Sequence, residues 1–350
     1  MNTKVIKIDS DNIDEKSMQE AGDLIAAGEL VAFPTETVYG LGGDALDPKA
    51  AEKIYKAKGR PSDNPLIVHI SKFEDLEYIA KDVPASARKL ADKFWPGPLT
   101  MIVQKNEKVP YATTGGMETV AIRMPNSKIA LDLIRKSGKL IAAPSANTSG
   151  RPSPTEAHHV AEDLDGKIAM IVDGGSVGIG IESTIVDLTE KKPMILRPGY
   201  ITPEMLSEVL GEEVVIDPGI IAADDTKKPK APGMKYKHYA PKASMILVEG
   251  EQSKVINKIN ELADEKSKDG KKVAVIATEE TKSMYRTDVI LSIGSRQDED
   301  SIARHLYKIL RECDDMDVEA IYSESFKTPR IGNAIMNRLL KAAGHQVIHV

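Results

Sequence analysis

Between Val5 and Leu210 the chain repeats one pattern: a short, mostly apolar run of four or five residues, then a longer segment with helical spacing. Buried strands must pair with one another, and each helix must bury its apolar stripe on the sheet they form, so this alternation restricts the fold to an α/β sheet covered by helices. The runs predict strands at Val5–Ile8, Leu30–Phe33, Leu66–Ile70, Leu99–Val103, Thr119–Arg123, Leu140–Ala143, Ala169–Val172, Thr184–Leu188 and Met194–Arg197. Punctuation marks several helices: Ser17 is placed to cap one that Gly28 closes, while Asp47-Pro48 and Thr202-Pro203 each set a cap before a proline at the first helical position.

The pattern breaks at residues 211–242. This stretch opens acidic (Glu212, Glu213, Asp217, Asp224, Asp225), closes basic (Lys227, Lys228, Lys230, Lys235, Lys237, Lys242) and reads as a long linker. From Ser244 a second series begins, with strands at Met245–Val248, Val273–Ala277, Val289–Ile293, Ala320–Tyr322 and Val347–Val350 and helices between them, which predicts a small parallel, doubly wound domain. The expected organisation is therefore a first domain over 1–210, a linker over 211–242 and a second domain over 243–350. A length of 350 residues suits about two domains.

Composition narrows the function classes. With 47 Lys+Arg against 53 Asp+Glu the net charge is −6, which excludes a wholesale basic coat for nucleic acid. One cysteine, Cys313, excludes an internal disulfide framework and a cysteine-cluster metal site, and suits a reducing cytoplasm. Met1 to Asp9 alternates apolar and charged residues without the unbroken apolar stretch of a signal peptide, and no run approaches the ~20 apolar residues of a membrane span.

Several strand ends carry polar chemistry. Phe33-Pro34-Thr35-Glu36-Thr37-Val38-Tyr39-Gly40-Leu41-Gly42 leaves an apolar strand with hydroxyls, a carboxylate and glycines, and reads as a strand-end loop able to line a polar pocket. Lys49, Lys53, Lys56 and Arg60 share one helix face if the helix continues, ordinarily a solvated face. Lys58-Gly59-Arg60-Pro61-Ser62-Asp63-Asn64-Pro65 instead breaks the helix at Gly59 and throws Lys58 and Arg60 into a proline-braced loop suited to phosphate or carboxylate oxygens. Arg123 ends an apolar strand, where it either snorkels or clamps an anion; Pro144-Ser145-Ala146-Asn147-Thr148-Ser149-Gly150 follows another with small donors and acceptors. His69 sits on an apolar run and is either a hydrogen-bonded core histidine or a site residue.

Two patterns are set aside. Gly174-Gly175-Ser176-Val177-Gly178 matches a serine-hydrolase elbow, but it runs on towards another strand rather than opening a helix. No Walker A motif occurs, so any nucleotide is held without a P-loop. Pro232-Gly233-Met234-Lys235-Tyr236-Lys237-His238-Tyr239-Ala240-Pro241 is richer in aromatic and basic residues than a spacer needs, and its side chains suit a lid on a nucleotide.

Taken together, and in this order, these strings resemble the threonylcarbamoyl-AMP synthase family, the YrdC-like fold, in its longer two-domain form. The resemblance implies an α/β architecture with an N-terminal YrdC-like twisted mixed sheet flanked by helices, and a smaller C-terminal Rossmann-like parallel α/β domain. It implies a nucleotidyltransferase that makes L-threonylcarbamoyladenylate, pyrophosphate and water from ATP, L-threonine and bicarbonate, with Mg²⁺ accompanying ATP. The family's Lys-x-Arg and Ser-x-Asn signature falls on Lys58, Arg60, Ser145 and Asn147. Threonine-binding positions fall on Thr37, His69, Arg123, Ala143 and Ser183; nucleotide-binding positions on Arg60, Asn64, Thr119, Ser145, Ser153, Arg197 and, from the linker, Tyr236. The partner implied is a threonylcarbamoyl-transferase complex modifying the adenosine beside the tRNA anticodon; a weak tRNA contact is allowed, and neither a membrane nor a protein-bound metal is expected. Whether His69 acts as a base or only binds threonine stays open at this point. The competing reading is an RNA- or tRNA-binding module without adenylation activity, docking through Lys49, Lys53 and Lys56.

Overall fold

The apolar runs form strands in the computed structural model, which describes residues 2–220, 231, 238–326 and 328–350. The chain divides into two units: Met1–Ser149 with Ser153–Gly178 and Glu182–Lys235, and Tyr236–Val350 with Gly150–Pro152 and Ile179–Ile181.

The first unit carries β1 (Lys4–Lys7), α1 (Glu15–Ala26), β2 (Val31–Pro34), β3 (Tyr39–Asp44), α2 (Pro48–Lys58), β4 (Ile67–His69), α3 (Phe73–Ile79), α4 (Ala85–Phe94), β5 (Leu99–Gln104) and α5 (Tyr111–Thr114). It continues with β6 (Thr119–Arg123), α6 (Lys128–Ser137), β7 (Ile141–Ala142), α7 (Ala157–Leu164), β8 (Met170–Asp173), β9 (Thr184–Asp187), β10 (Met194–Arg197), α8 (Pro203–Leu210) and β11 (Val215–Ile216). Among the described residues these strands make one mixed sheet in the order β1-β8-β2-β3-β7-β4-β6-β5-β9-β10-β11. Helix α2 starts as its sequence dictates: the Asp47 carboxylate accepts from Lys49 N, Pro48 takes the first helical position, and Gly59 closes the helix at φ +61°. Thr202, Pro203 and Gly211 bound α8 in the same way.

Three local expectations change. The loop expected after Phe33 folds back as β3, antiparallel to β2 with Val31 opposite Gly42 and Phe33 opposite Gly40. Its glycines hide the strand from propensity, yet packing requires one of them: a Cβ on Gly42 would stand 2.8 Å from both Ile141 Cγ2 and the Phe33 ring. Asp14, not Ser17, caps α1; its carboxylate accepts from Ser17 N at 2.7 Å. And α2 ends at Lys58, so Lys58 is helical rather than in the loop and Arg60 leaves the lysine face.

Register places the polar strand-end residues on one face. His69 pairs with Arg123 and with Ile141, and Thr100 with Arg123 and Ile185, so these residues share a face with Ile67, Ile102 and Ala121. Over β1, β2, β7 and β8 that face is covered by α1 and α6, through Met18, Ile25, Ile129 and Leu133. Over β4, β5, β6, β9 and β10 it carries a small apolar patch, Ile67, Ile102, Ala121, Ile185 and Leu196, against which Ala231 is buried. The opposite face packs on α2, α3, α4, α7 and α8 in the main core.

The second unit holds β12 (Ser244–Glu249), α9 (Gln252–Lys268), β13 (Val273–Ala277), β14 (Val289–Ser292), α10 (Glu299–Asp315), β15 (Ala320–Glu324), α11 (Gly332–Ala342) and β16 (Val347–His349). Its sheet, in the order β14-β13-β15-β12-β16, is parallel throughout. Every residue of β13 is buried, as expected of a strand covered on both faces.

Candidate functional site

Lys58, the last residue of α2, is 1% exposed. Its Nζ donates to the carbonyl oxygens of Ser145 and Asn147 and lies 3.5 Å from Asn147 Oδ1. Ser149 N in turn donates to Lys58 O at 2.8 Å, so helix end and loop brace each other. The loop is pinned from below: Ser145 forms a backbone bridge with Gly40, and Ala146 N donates to Tyr39 O at 2.8 Å. Arg60 is buried, with Nε on Asn64 O at 3.1 Å and Nη2 on Pro65 O at 3.0 Å. These bonds fix the guanidinium at the start of β4 and hold the Arg60–Pro65 turn, while Asn64 Oδ1 is buried with no hydrogen-bond partner among the described residues.

A second group stands two residues further along β4. Arg123 Nη1 donates to Thr37 Oγ1 at 2.9 Å, and Nε reaches Gly97 O at 3.4 Å. Thr37 is itself held by Thr35, whose Oγ1 lies 2.9 Å from Thr37 Oγ1 and donates to Val38 O. His69 is 3% exposed beside Arg123, with Nδ1 3.2 Å from Ile67 O. Burial first, and the neighbouring Arg123 charge second, push its imidazole down to about 3, so it is neutral at physiological pH. Ala143 N donates to Ile67 O at 2.8 Å. Two residues of β4, about 7 Å, thus separate the strand position facing Ala143, where the Ala143–Asn147 loop begins, from His69 and its partner Arg123.

The histidine has a consequence for stability. An imidazole held below its ordinary value contributes stability that is complete above pH ~6.5 and is lost as pH falls from there towards 3, because the unfolded chain then binds the extra proton. Between pH 7 and pH 5 the wild type is expected to lose about 2 kcal/mol more than His69→Gln. Urea titrations of both proteins at the two pH values check this; parallel losses would remove the assignment.

The remaining expected positions divide. Ser183 is fully buried, its hydroxyl 2.7 Å from Thr100 Oγ1, and Arg197 donates from Nε to Ser183 O at 3.0 Å and from Nη2 to Ser183 Oγ at 3.1 Å. Register joins this cluster to the second group, since Thr100 pairs with Arg123. Ser153 donates to Glu182 at 2.6 Å, which ties it to the segment before Ser183. Thr119 is partly exposed at the opposite end of β6, four residues or about 13 Å from Arg123. Tyr236 lies outside the described residues. Tyr39 donates to Gly175 O at 2.7 Å and accepts from Gly174 N, anchoring the glycine-rich loop beside β3. Of the lysine face, Lys53 is committed to Glu29 Oε1 at 2.8 Å and Gly28 O at 2.7 Å.

Sequence reasoning passed over Thr100, Glu182 and Glu36. Thr100 carried a signal, as a hydroxyl on a buried face of an apolar strand; Glu182 carried none. Glu36 lay inside the string read as a pocket loop, but only structure sets it against Arg123, its Oε2 2.8 Å from Nη2.

Comparison with known proteins places this arrangement. The Sua5/YciO/YrdC family profile, described as "Telomere recombination", matches residues 23–199. A second profile, "Threonylcarbamoyl-AMP synthase, C-terminal domain", matches 201–344. The threonylcarbamoyl-AMP synthase of Pyrococcus abyssi is 51% identical over 97% of this chain and 98% of its own length, and that of Bacillus subtilis 49% identical over 95% of each. The solved structure of P. abyssi Sua5 complexed with L-threonine superposes with a TM-score of 0.94 at 49% identity, covering 99% of this chain and 100% of that one. The chain belongs to the threonylcarbamoyl-AMP synthase family of Sua5/YciO/YrdC enzymes, in its two-domain form.

Proposed function

We propose that the chain makes L-threonylcarbamoyladenylate and pyrophosphate from ATP, L-threonine and bicarbonate, and that a threonylcarbamoyl-transferase acting on tRNA consumes the adenylate. The observation that carries this reading is that one sheet carries both a buried arginine suited to a carboxylate, at the end of β6, and, at the loop after β7, a cation and amide cradle suited to phosphates. In support, P. abyssi Sua5, nearly half identical, has been solved with L-threonine bound.

In this reading Arg123 takes the threonine carboxylate, and Thr37, neutral His69, Ala143 and Ser183 shape the rest of the amino-acid site. Bicarbonate loses water to give CO₂; the free amine attacks its carbon, one C=O π pair moves onto oxygen, and the nitrogen gives up a proton to leave a carbamate. A carbamate oxygen then attacks the α-phosphorus while the bond to the β-phosphate oxygen breaks and pyrophosphate leaves. The demands of that step are alignment and neutralisation of charge. Lys58 and Arg60 supply the charge; Asn64, Thr119, Ser145, Ser153 and Arg197 hold the nucleotide, with Asn147 ordering the Ser145 loop. The nearby donors are cationic, amide and hydroxyl groups, which suit phosphate oxygens; Mg²⁺ enters with the triphosphate as part of the substrate. His69, with its imidazole pushed down to about 3, is a binding group rather than a base.

Pyrophosphate release by the purified protein, with threonine and bicarbonate omitted in turn, tests the reading. Release that needs both, with the adenylate seen by mass, is expected; release indifferent to threonine would overturn it. Within 211–242, β11 belongs to the sheet rather than to a linker; the part that follows it closes the site in this scheme, and Ala231, buried against the apolar patch of that sheet face, supports this. Tyr236→Ala should then release the adenylate about 2- to 10-fold faster, the worth of one aromatic contact. An unchanged lifetime in a chase experiment would contradict the lid.

A further inference from the structure

Among the described residues Glu36 is the one carboxylate in contact with Arg123, yet the contact is unfinished. Its side chain is 13% exposed, and its Oε2 stands 2.8 Å from Arg123 Nη2. No N–H of Nη2 is aligned with it, and neither oxygen of Glu36, nor Nη2 itself, has a hydrogen-bond partner among the described residues. Burying two such groups without hydrogen bonds is costly, and a site that keeps them so is built for a third party that completes both. The third party must bring an anion for Nη2 and a cationic donor for the carboxylate, on neighbouring atoms. An α-amino acid zwitterion has that combination.

We propose that Glu36 receives the α-ammonium group of L-threonine and accepts its proton, so that the free amine can attack carbon; this rests on the threonine site described under the proposed function. When the substrate carboxylate takes Nη2 of Arg123, Glu36 loses part of its ion pair and gains a second negative charge nearby. The substrate ammonium then takes the place of the guanidinium beside the carboxylate. One ammonium N–H bond breaks and its proton passes to a Glu36 oxygen; the nitrogen lone pair forms the N–C bond as one C=O π pair of CO₂ moves onto oxygen, and the second proton lost from nitrogen goes to solvent or to the bicarbonate undergoing dehydration. The charged and titratable neighbours are few: Arg123 from β6 touches Glu36, and His69 from β4, beside Arg123, is held neutral. Thr35 and Thr37 flank it on its own loop and do not titrate.

The test measures kcat/KM for threonine by pyrophosphate release between pH 7 and pH 9, in wild type, Glu36→Gln and Glu36→Asp. The glutamine variant must wait for threonine that is already deprotonated in solution. Its rate is expected to be at least 10-fold down at pH 7 and to recover by roughly 10-fold per pH unit relative to wild type, up to the substrate amine's own pKa. The aspartate variant keeps the carboxylate and should keep the wild-type pH slope at a lower rate. This also answers for a glutamine variant that fails to fold, since an aspartate variant with a steepened slope overturns the assignment by itself. A glutamine variant within threefold of wild type, or one equally impaired at both pH values, overturns it too and leaves Glu36 only an anchor for Arg123. A wild type whose release ignores threonine would overturn the synthase reading itself, which separates the two failures.

Discussion

Lys58→Ala is expected to lower kcat for threonine-dependent pyrophosphate release by ~10²-fold or more, with a smaller change in ATP affinity. The argument starts from burial. At 1% exposure the ammonium is a fixed charge with no solvent to screen it, so its interaction with charge developing on the triphosphate is strong and needs little reorganisation. The same group donates to the carbonyl oxygens of Ser145 and Asn147, so the alanine variant also leaves two acceptors without their donor. Each unsatisfied buried group costs about 1–3 kcal/mol, and the loop is expected to shift as well as lose its cation. Lys58→Arg separates the effects: it keeps the charge, but a planar guanidinium does not fit a cradle sized for an ammonium, and activity should not return. Parallel calorimetry of ATP binding distinguishes turnover from affinity. A Lys58→Ala enzyme turning over within threefold of wild type would leave the lysine a merely structural tie.

Much of this arrangement could be read from residues, for identifiable reasons. Strands β2, β4, β5, β6, β8, β9 and β10 are buried on both sides or at sheet centre, so their sequences are dense in aliphatic residues and announce themselves. Strand β3 did not, because close approach to Ile141 and Phe33 demands glycine at Gly42, and glycine is the residue that propensity reads as a turn. Lys58, Arg60, Ser145 and Asn147 were legible as loop chemistry, but what makes Lys58 distinctive, its bonds to two carbonyl oxygens 87 and 89 residues away, belongs to the fold. The same holds for Glu36 against Arg123 across 87 residues: sequence shows a carboxylate in a polar string and an arginine at a strand end, and only the β2–β3 turn folding towards the end of β6 brings them together. His69 marks the boundary of what a sequence can say. Its apolar run predicted burial, and its neutrality follows from burial plus the register that sets it beside Arg123.

Arg123→Met is expected to raise KM for threonine by about 10²- to 10³-fold, the worth of one to two charge-assisted hydrogen bonds to a carboxylate, with a lesser fall in kcat. Arg123→Lys should recover little, since a point charge on a flexible stem replaces a fork that Thr37 and Gly97 hold in place. The methionine variant also leaves the largely covered Glu36 with no opposite charge beside it, and removing one partner of a fully buried ion pair destabilises by about 3–5 kcal/mol, an upper bound for this partly exposed pair. Stability and binding must therefore be told apart. Glu36→Gln in the Arg123→Met background removes the stranded charge and should restore much of the thermal stability. It should leave the threonine KM high, because nothing has been returned to hold the substrate carboxylate. Steady-state kinetics with threonine varied, beside thermal melts of wild type, Arg123→Met and the double variant, decide the matter. A double variant that regains both stability and threonine affinity would show that Arg123 organises the loop around Glu36 and Thr37 without touching substrate, and the carboxylate site would then have to be sought at Arg197 and Ser183, the other buried cation and hydroxyl on the same face.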